Sequence, residues 1–348
     1  MRSALLAGSA AATLLLAASH VEGVALETVA RSAQRWAERT HRMPWVVPGE
    51  VDHGSLSLAG STAVERHEAR ATTLETIPIP GGPVVAIAER EGELVLGAFD
   101  GGAWRVAAGR REPVSMGIDE RINDLAFSAD GTRWAATAGG AFRVPRAGTP
   151  VRLASGAFQA VAIWKNTAWF ASPRGLSNVD GRGFLTRGRE QGFAADSPGA
   201  LADCGPRLCI GALDGLWQWD GSTATRLGAD TGSLPSDWVT AIAFGSNTLW
   251  AGTFDAGLAQ LHPTHRRLAL SDGLPEARVQ PHALVVGAKA TWAGTPQGIL
   301  ELRDDSAALA SEGLPSREVT ALALAHAGGL WMGYADGAAR IRIEEVSP

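Results

Sequence analysis

Leu249-Trp250-Ala251-Gly252-Thr253-Phe254-Asp255-Ala256-Gly257-Leu258 reads as one hairpin: a strand, a turn built on Asp255 and Gly257, and the start of a second strand. Close copies of it recur along the chain. They centre on Val95, Trp134, Trp169, Cys209, Trp250, Trp292 and Trp331, at steps of 39, 35, 40, 41, 42 and 39 residues. A unit of roughly 40 residues cannot bury its apolar face alone and must stack on its neighbours. Seven such units, each long enough for four strands, predict an all-β chain: a seven-bladed β-propeller of four-stranded blades.

Working outward from the hairpin fills in the blade. Residues 239–244 alternate small or polar with apolar side chains, as an innermost strand does, and Gly245-Ser246-Asn247 is a tight turn into the quoted strand. A third strand is expected at 258–261 and an outer one near 267–270, after which Asp272-Gly273-Leu274-Pro275 opens the next unit. Gly252, Gly294 and Gly333 lack a Cβ where one blade would approach the next, and the Trp of the second strand would fill the space between blades. After the last hairpin too few residues remain for an outer strand. The segment 72–77, placed before the first unit, is therefore expected to pair with the last blade and close the ring, removing an open edge.

Composition sets the outer bounds. The chain has 348 residues, 42 of them Gly, and 12 Trp carry most of the aromatic mass beside a single Tyr. A repeat running almost end to end favours one domain over two. A formal charge of −5 with no Lys/Arg run supplies no electrostatic footprint for nucleic acid and no polybasic membrane patch. Residues 1–19 have the form of a secretory signal, Arg2 followed by a short apolar run and Ala17-Ala18-Ser19. A periplasmic or secreted protein without a membrane span in its mature part is expected. Residues 20–71 then read as a helix and linker: Leu26, Val29, Ala30, Ala33, Trp36 and Ala37 share a helical face within 25–42, ahead of a Pro- and Gly/Ser-rich stretch. The helix would cap the propeller or dock a partner through Trp36. The propeller occupies 72–348.

The pieces Gly313-Leu314-Pro315-Ser316-Arg317-Glu318-Val319-Thr320-Ala321-Leu322, Asp272-Gly273-Leu274-Pro275 and Leu249-Trp250-Ala251-Gly252-Thr253 resemble the repeat of the two-component regulator propeller family. That repeat runs Gly-Leu-Pro, Val-Thr-Ala-Ile, Leu-Trp-x-Gly-Thr. The resemblance covers about residues 80–343 and is strongest in the last three units. It implies a periplasmic sensing domain. In that family such a domain precedes a transmembrane helix and a histidine kinase; this sequence has neither.

Candidate functional residues fall in two sets. Aligning the innermost strands places Val85, Asn123, Gln159, Gly199, Thr240, His282 and Thr320 in one ring at the mouth of the central channel. His282 is its titratable member, with Asp124 and Glu318 as candidate partners for acid/base work. The second set lies on loops between blades: Glu120, Arg121, Asp237, Trp238, Glu276, Arg278, Arg317 and Glu318. Trp238 stands out there, as an aromatic suited to a hot spot or a sugar platform, or to packing on the next loop.

Asp100, Asp214, Asp255 and Asp336 stand before Gly or Ala in the second-to-third-strand turns, where Asp is also what a tight turn wants. His262 and His265 lack further ligands nearby in sequence for zinc, so no metal and no cofactor is expected. Cys204 and Cys209 would face each other on a hairpin, either oxidised or as two buried thiols. The sequence holds no Gly-x-Ser-x-Gly elbow, His-Glu-x-x-His helix or phosphate-cradling loop. Three readings follow. The first is a non-enzymatic propeller binding a small molecule, glycan or envelope protein on its upper face. The second is a lyase or hydrolase centred on His282, and the third an interaction protein that uses the helix around Trp36.

Overall fold

The computed structural model describes residues 65–345 apart from 108, 115–120, 181–182, 189–193, 273 and 304–305. All belong to one compact unit, Ala59–Pro348. The expected leader, the helix over 25–42 with Trp36, most of the linker and Glu120 lie outside the described residues.

Seven antiparallel meanders form seven sheets, and the description all-β, seven-bladed β-propeller of four-stranded blades holds. Blades 1 to 6 span 84–114, 122–155, 160–187, 200–227, 239–268 and 284–310; blade 7 combines 321–345 with Ala69–Pro78. In blade 5 the strands are Val239–Gly245, Thr248–Thr253, Leu258–His262 and Arg266–Leu268, from the channel outward. The innermost hairpins of blades 1, 3, 4 and 5 turn in two residues. Ser246 and Asn247 take φ of 48° and 59°, and Lys165 and Asn166 take 48° and 59°, the left-handed pair that matches strand twist in such loops. The opposite hairpin is closed by a buried hydroxyl: Thr137, Thr253 and Thr295 donate to the carbonyls of Gly140, Gly257 and Gly298 at 3.0, 2.8 and 2.8 Å.

The core is distributed rather than central. Each of the seven interfaces between neighbouring blades has its own apolar cluster, the one joining blade 7 to blade 1 included. Trp250 fills the interface of blades 5 and 6, Trp331 that of blades 7 and 1, and Trp169 that of blades 3 and 4. Sheets approach closely at the glycine two residues after the Trp. A Cβ on Gly252 would lie 2.6 Å from Val279 Cγ1 of the next blade, so the missing side chain sets the spacing.

Ala69–Pro78 runs antiparallel to Gly337–Glu345, from Ala69 opposite Glu345 to Pro78 opposite Gly337, and supplies the outer strand of blade 7. Just before it, Glu65 and Arg66 add a parallel fifth strand to blade 6, opposite Ser306 and Ala307. The His67 ring then reaches the fully buried Glu301 carboxylate at 3.4 Å. The N-terminal segment thus ties two blades together at their outer edges.

Candidate functional site at the upper mouth of the channel

All innermost strands start at the same end of the channel, the upper one, so whatever precedes them forms its mouth. In blades 1, 2 and 5 the pairing skips one residue, leaving Val85, Asn123 and Thr240 as the extra residues of β-bulges. In blades 3, 4, 6 and 7 the N–H groups of Gln159, Gly199, Gln280 and Thr320 each donate at 2.9 Å to Ala171, Gly211, Gly294 and Gly333. The ring is therefore Val85, Asn123, Gln159, Gly199, Thr240, Gln280 and Thr320. His282 is not its blade 6 member, as the sequence alignment had it. Pro281 and His282 are two added residues ahead of Ala283, whose carbonyl accepts from Gly294 N–H at 2.6 Å. The sequence does carry the sign of this insertion: Val239 precedes Trp250 by 11 residues (250 minus 239), whereas Val279 precedes Trp292 by 13 (292 minus 279).

Most polar ring members stitch blades together. Asn123 Nδ2 donates to Phe158 O at 2.7 Å, Thr240 Oγ1 to Val279 O at 2.8 Å, and Thr320 Oγ1 to Val84 O at 2.5 Å. Each bond crosses to the next blade, the last across the closure of the ring. Gln159 Oε1 differs, being buried without a hydrogen-bond partner.

One step below the ring the repeat places alanine: Ala86, Ala160, Ala200, Ala241, Ala283 and Ala321. Blade 2 has Asp124 instead. Its carboxylate accepts from Leu125 N–H and, across the interface, from Val161 N–H, both at 2.8 Å. Burial pushes its pKa above the usual carboxylate range, opposed by the His282 charge and by those two N–H groups. His282 Nδ1 lies 3.7 Å from Asp124 Oδ1. Blades 2 and 6 face each other over the channel, so the inserted histidine reaches across the opening. It does so with φ of 54°, and its carbonyl accepts from Leu322 N–H of blade 7 at 3.2 Å. Of the two partners considered for His282, the fold brings Asp124 to it; Glu318 stays exposed on the loop into blade 7.

On the surrounding loops, Trp238 stacks on Phe254 with centroids 4.1 Å apart and an interplanar angle of 18°. Arg278, itself exposed, covers the Phe254 ring at 5.4 Å. Asp237 is committed to structure, accepting from Ala229 N–H at 2.7 Å and facing Arg226 at 3.3 Å. Glu276 accepts from Ala277 and Arg278 N–H at 2.9 and 3.0 Å. Arg317 is exposed and Arg121 half-buried. The lower end of the channel is chemically different, a space of about 380 Å³ lined by Ile242, Phe244, Leu284, Val286, Leu322 and Leu324 among others.

The remaining candidates lie apart. Cys204 and Cys209 are joined in a disulfide at the lower hairpin of blade 4. His265 Nε2 lies 2.9 Å from Ser233 O. Asp214 accepts from Asp196 N–H and Trp217 Nε1, at 3.0 and 3.1 Å. Among the described residues no group of three His, Cys, Asp or Glu is placed to hold a metal ion, and no helix is long and apolar enough to cross a membrane.

Innermost strands, a polar mouth and a closed ring of seven blades can be set beside known proteins. The chain is similar to the extracellular domain of a two-component system. That domain, from BT3049 of B. thetaiotaomicron, superposes with TM-score 0.60 at 14% identity over 79% of this chain and 42% of its own. This chain thus spans less than half of it. Virginiamycin B lyase from Staphylococcus aureus superposes with TM-score 0.64 at 14% identity over 79% of this chain and 99% of its own. PorZ, a surface component of the type-IX secretion system of Porphyromonas gingivalis, does so with TM-score 0.51 at 15% identity, over 80% and 39%. At such identities the likeness is one of fold, and sensors and enzymes share it. No protein-family model and no curated protein matches the sequence.

Proposed function

We propose that the protein is an exported, non-enzymatic propeller, similar to the sensor propellers of two-component regulators, that binds a ligand or protein partner on its upper face. Residues 1–19 act as a cleaved leader and 20–64 as a helix and linker, the propeller beginning at the strand Glu65–Arg66 rather than at 72, and the propeller works in the periplasm or outside the cell. The observation that carries the binding role is the stack of Trp238, Phe254 and Arg278 on the loops of blades 5 and 6. A rigid aromatic pair capped by an exposed guanidinium offers both apolar area and charge to an incoming group. The exposed Arg317 and Glu318 extend the same face toward blade 7. The partner is a small molecule, a glycan or an envelope protein; the mild negative charge argues against nucleic acid.

The test is a thermal-shift screen of the protein against sugars, peptidoglycan fragments and small acids. A ligand bound only by the folded state at a hundredfold excess over Kd adds about 2.7 kcal/mol of stability, and Trp238→Ala should remove the shift. A shift that survives Trp238→Ala unchanged would place the ligand elsewhere.

A second reading is favoured by the pairing of His282 with Asp124 at 3.7 Å, since a carboxylate that orients an imidazole is half of a general-base arrangement. On that reading the protein is a lyase or hydrolase working at the channel mouth. His282→Ala would then abolish turnover of a substrate found in the screen, whereas under the first reading it leaves binding at Trp238 nearly intact.

A further inference from the structure

Two departures from the repeat meet at one point. The first is the insertion of Pro281 and His282 in the innermost strand of blade 6; the second is Asp124 where the other six blades have alanine. Neither is needed to close a blade, because the alanine blades close without them. Both carry a cost: a non-glycine residue at φ 54° occupies a sparsely populated conformation, and a carboxylate left only 14% exposed loses hydration. Such costs persist where surrounding structure holds them, and they cluster at functional elements.

We propose that Asp124 and His282 form a proton-operated latch across the upper mouth of the channel, closed by an ion pair between blades 2 and 6 when the imidazole is charged and released when it is neutral. Residues 281–282 are the moving element, the two central residues of a turn that Ala283 N–H closes on Gln280 O at 3.2 Å and that Gln280 N–H and Ala283 O anchor on Gly294. The latched position is held by Asp124 and by the bond from Leu322 N–H to the His282 carbonyl.

Among the described residues the charged side chains on the loops around the mouth include Arg121, Asp237, Glu276, Arg278, Arg317 and Glu318, and the ring itself adds none. The ring presents Val85, Asn123, Gln159, Gly199, Thr240, Gln280 and Thr320, and besides His282 the influences acting on Asp124 are burial and the backbone N–H groups of Val161 and Leu125. The sign follows. The pair needs an ionised carboxylate and a charged imidazole, so it acts in a window bounded below by the raised titration of Asp124 and above by the range in which an imidazole loses its proton. Raising the pH through that range opens the latch. The device concerns the channel and stands whether or not the upper loops take a ligand.

The test is a double-mutant cycle on the full chain, with His282→Gln, Asp124→Asn and the double variant followed by thermal unfolding at pH 6 and pH 8.5. At pH 6 the double variant should melt no lower than the worse single variant; at pH 8.5 His282→Gln should match the wild type and the coupling should vanish. Additive losses at both pH values, or equal coupling at both, would overturn the proposal. Asp124→Asn removes a charged acceptor from two N–H groups and can fail to fold. Hydrogen exchange at Leu322 in the wild type and His282→Gln then decides. After correction for the intrinsic pH dependence, the wild type should exchange several-fold faster at pH 8.5 than at pH 6, with no such change in the variant. Equal protection of the wild type at both pH values would overturn it.

Discussion

Gly252→Ala tests the idea that bare backbone sets the spacing between blades. A Cβ built on Gly252 meets Cγ1, Cβ and Cγ2 of Val279 at 2.6, 2.8 and 3.0 Å, well inside the separation at which carbon atoms attract. Three carbons of one β-branched side chain are struck together, and Val279 is 1% exposed within the cluster joining blades 5 and 6. It cannot swing away, so the two sheets must part. Overpacking of this kind costs about 1–3 kcal/mol. Against it stands a gain of roughly 0.4–1 kcal/mol from the less flexible unfolded chain, leaving a net loss of roughly 0–2.6 kcal/mol, centred a little above 1. At that centre the melting temperature of a domain of this size falls by roughly 2–5 °C. Gly199→Ala is the matched control, because a Cβ there meets nothing within 4 Å; it should melt with the wild type or slightly above. Val279→Ala in the Gly252→Ala background makes room for the new methyl and should recover part of the loss. Thermal unfolding followed by circular dichroism reads all four proteins. If Gly252→Ala melts with Gly199→Ala, the close-approach argument is wrong.

Asp124→Ala installs the residue that the other blades use. Because the wild-type carboxyl is held above its ordinary range, the folded protein binds that proton more tightly than the unfolded chain does. Wild-type stability should therefore fall relative to Asp124→Ala as the pH rises from about 4, a trend visible in melting temperatures across a pH series; an opposite slope would contradict the burial. Thr320→Val removes the bond to Val84 O that crosses the closure between blades 7 and 1, and should cost about 1 kcal/mol in chemical denaturation, close to the effect of Thr240→Val on the equivalent bond to Val279 O. Reducing the Cys204–Cys209 bridge, which spans five positions of sequence, should cost less than the ~3 kcal/mol expected for a 15-residue loop. A melting-temperature comparison with and without reductant measures it, and a larger loss would mean the bridge holds more than its own hairpin.

Some of this was legible in the sequence because it is local and repeated. The strand around Trp250 and the small residue two places after its centre, Gly97, Ala136, Ala171, Gly211, Gly252, Gly294 and Gly333, recur with the period of the blade, so seven copies reinforce one reading, and the number of units set the number of blades. The candidate site was legible only in part. His282 could be placed near the mouth by counting, yet its true register depended on noticing that two residues had been added between Val279 and Trp292. Trp238 was visible as an unusual loop aromatic, but its stacking on Phe254 belongs to a contact between two turns whose relative height the sequence does not specify.

What the chain alone determined, then, was the unit: which residues form strands, which form turns, and that the units must stack. What tertiary structure decided was which units face each other. Asp124 and His282 are 158 residues apart (282 minus 124), and nothing in either neighbourhood points to the other. They meet because seven wedge-shaped interfaces, each filled by its own apolar cluster, bend the row of blades into a closed ring and bring blade 2 opposite blade 6. Curvature of that kind is a sum over all the interfaces, set by the volumes packed into each, and no single stretch of sequence contains it.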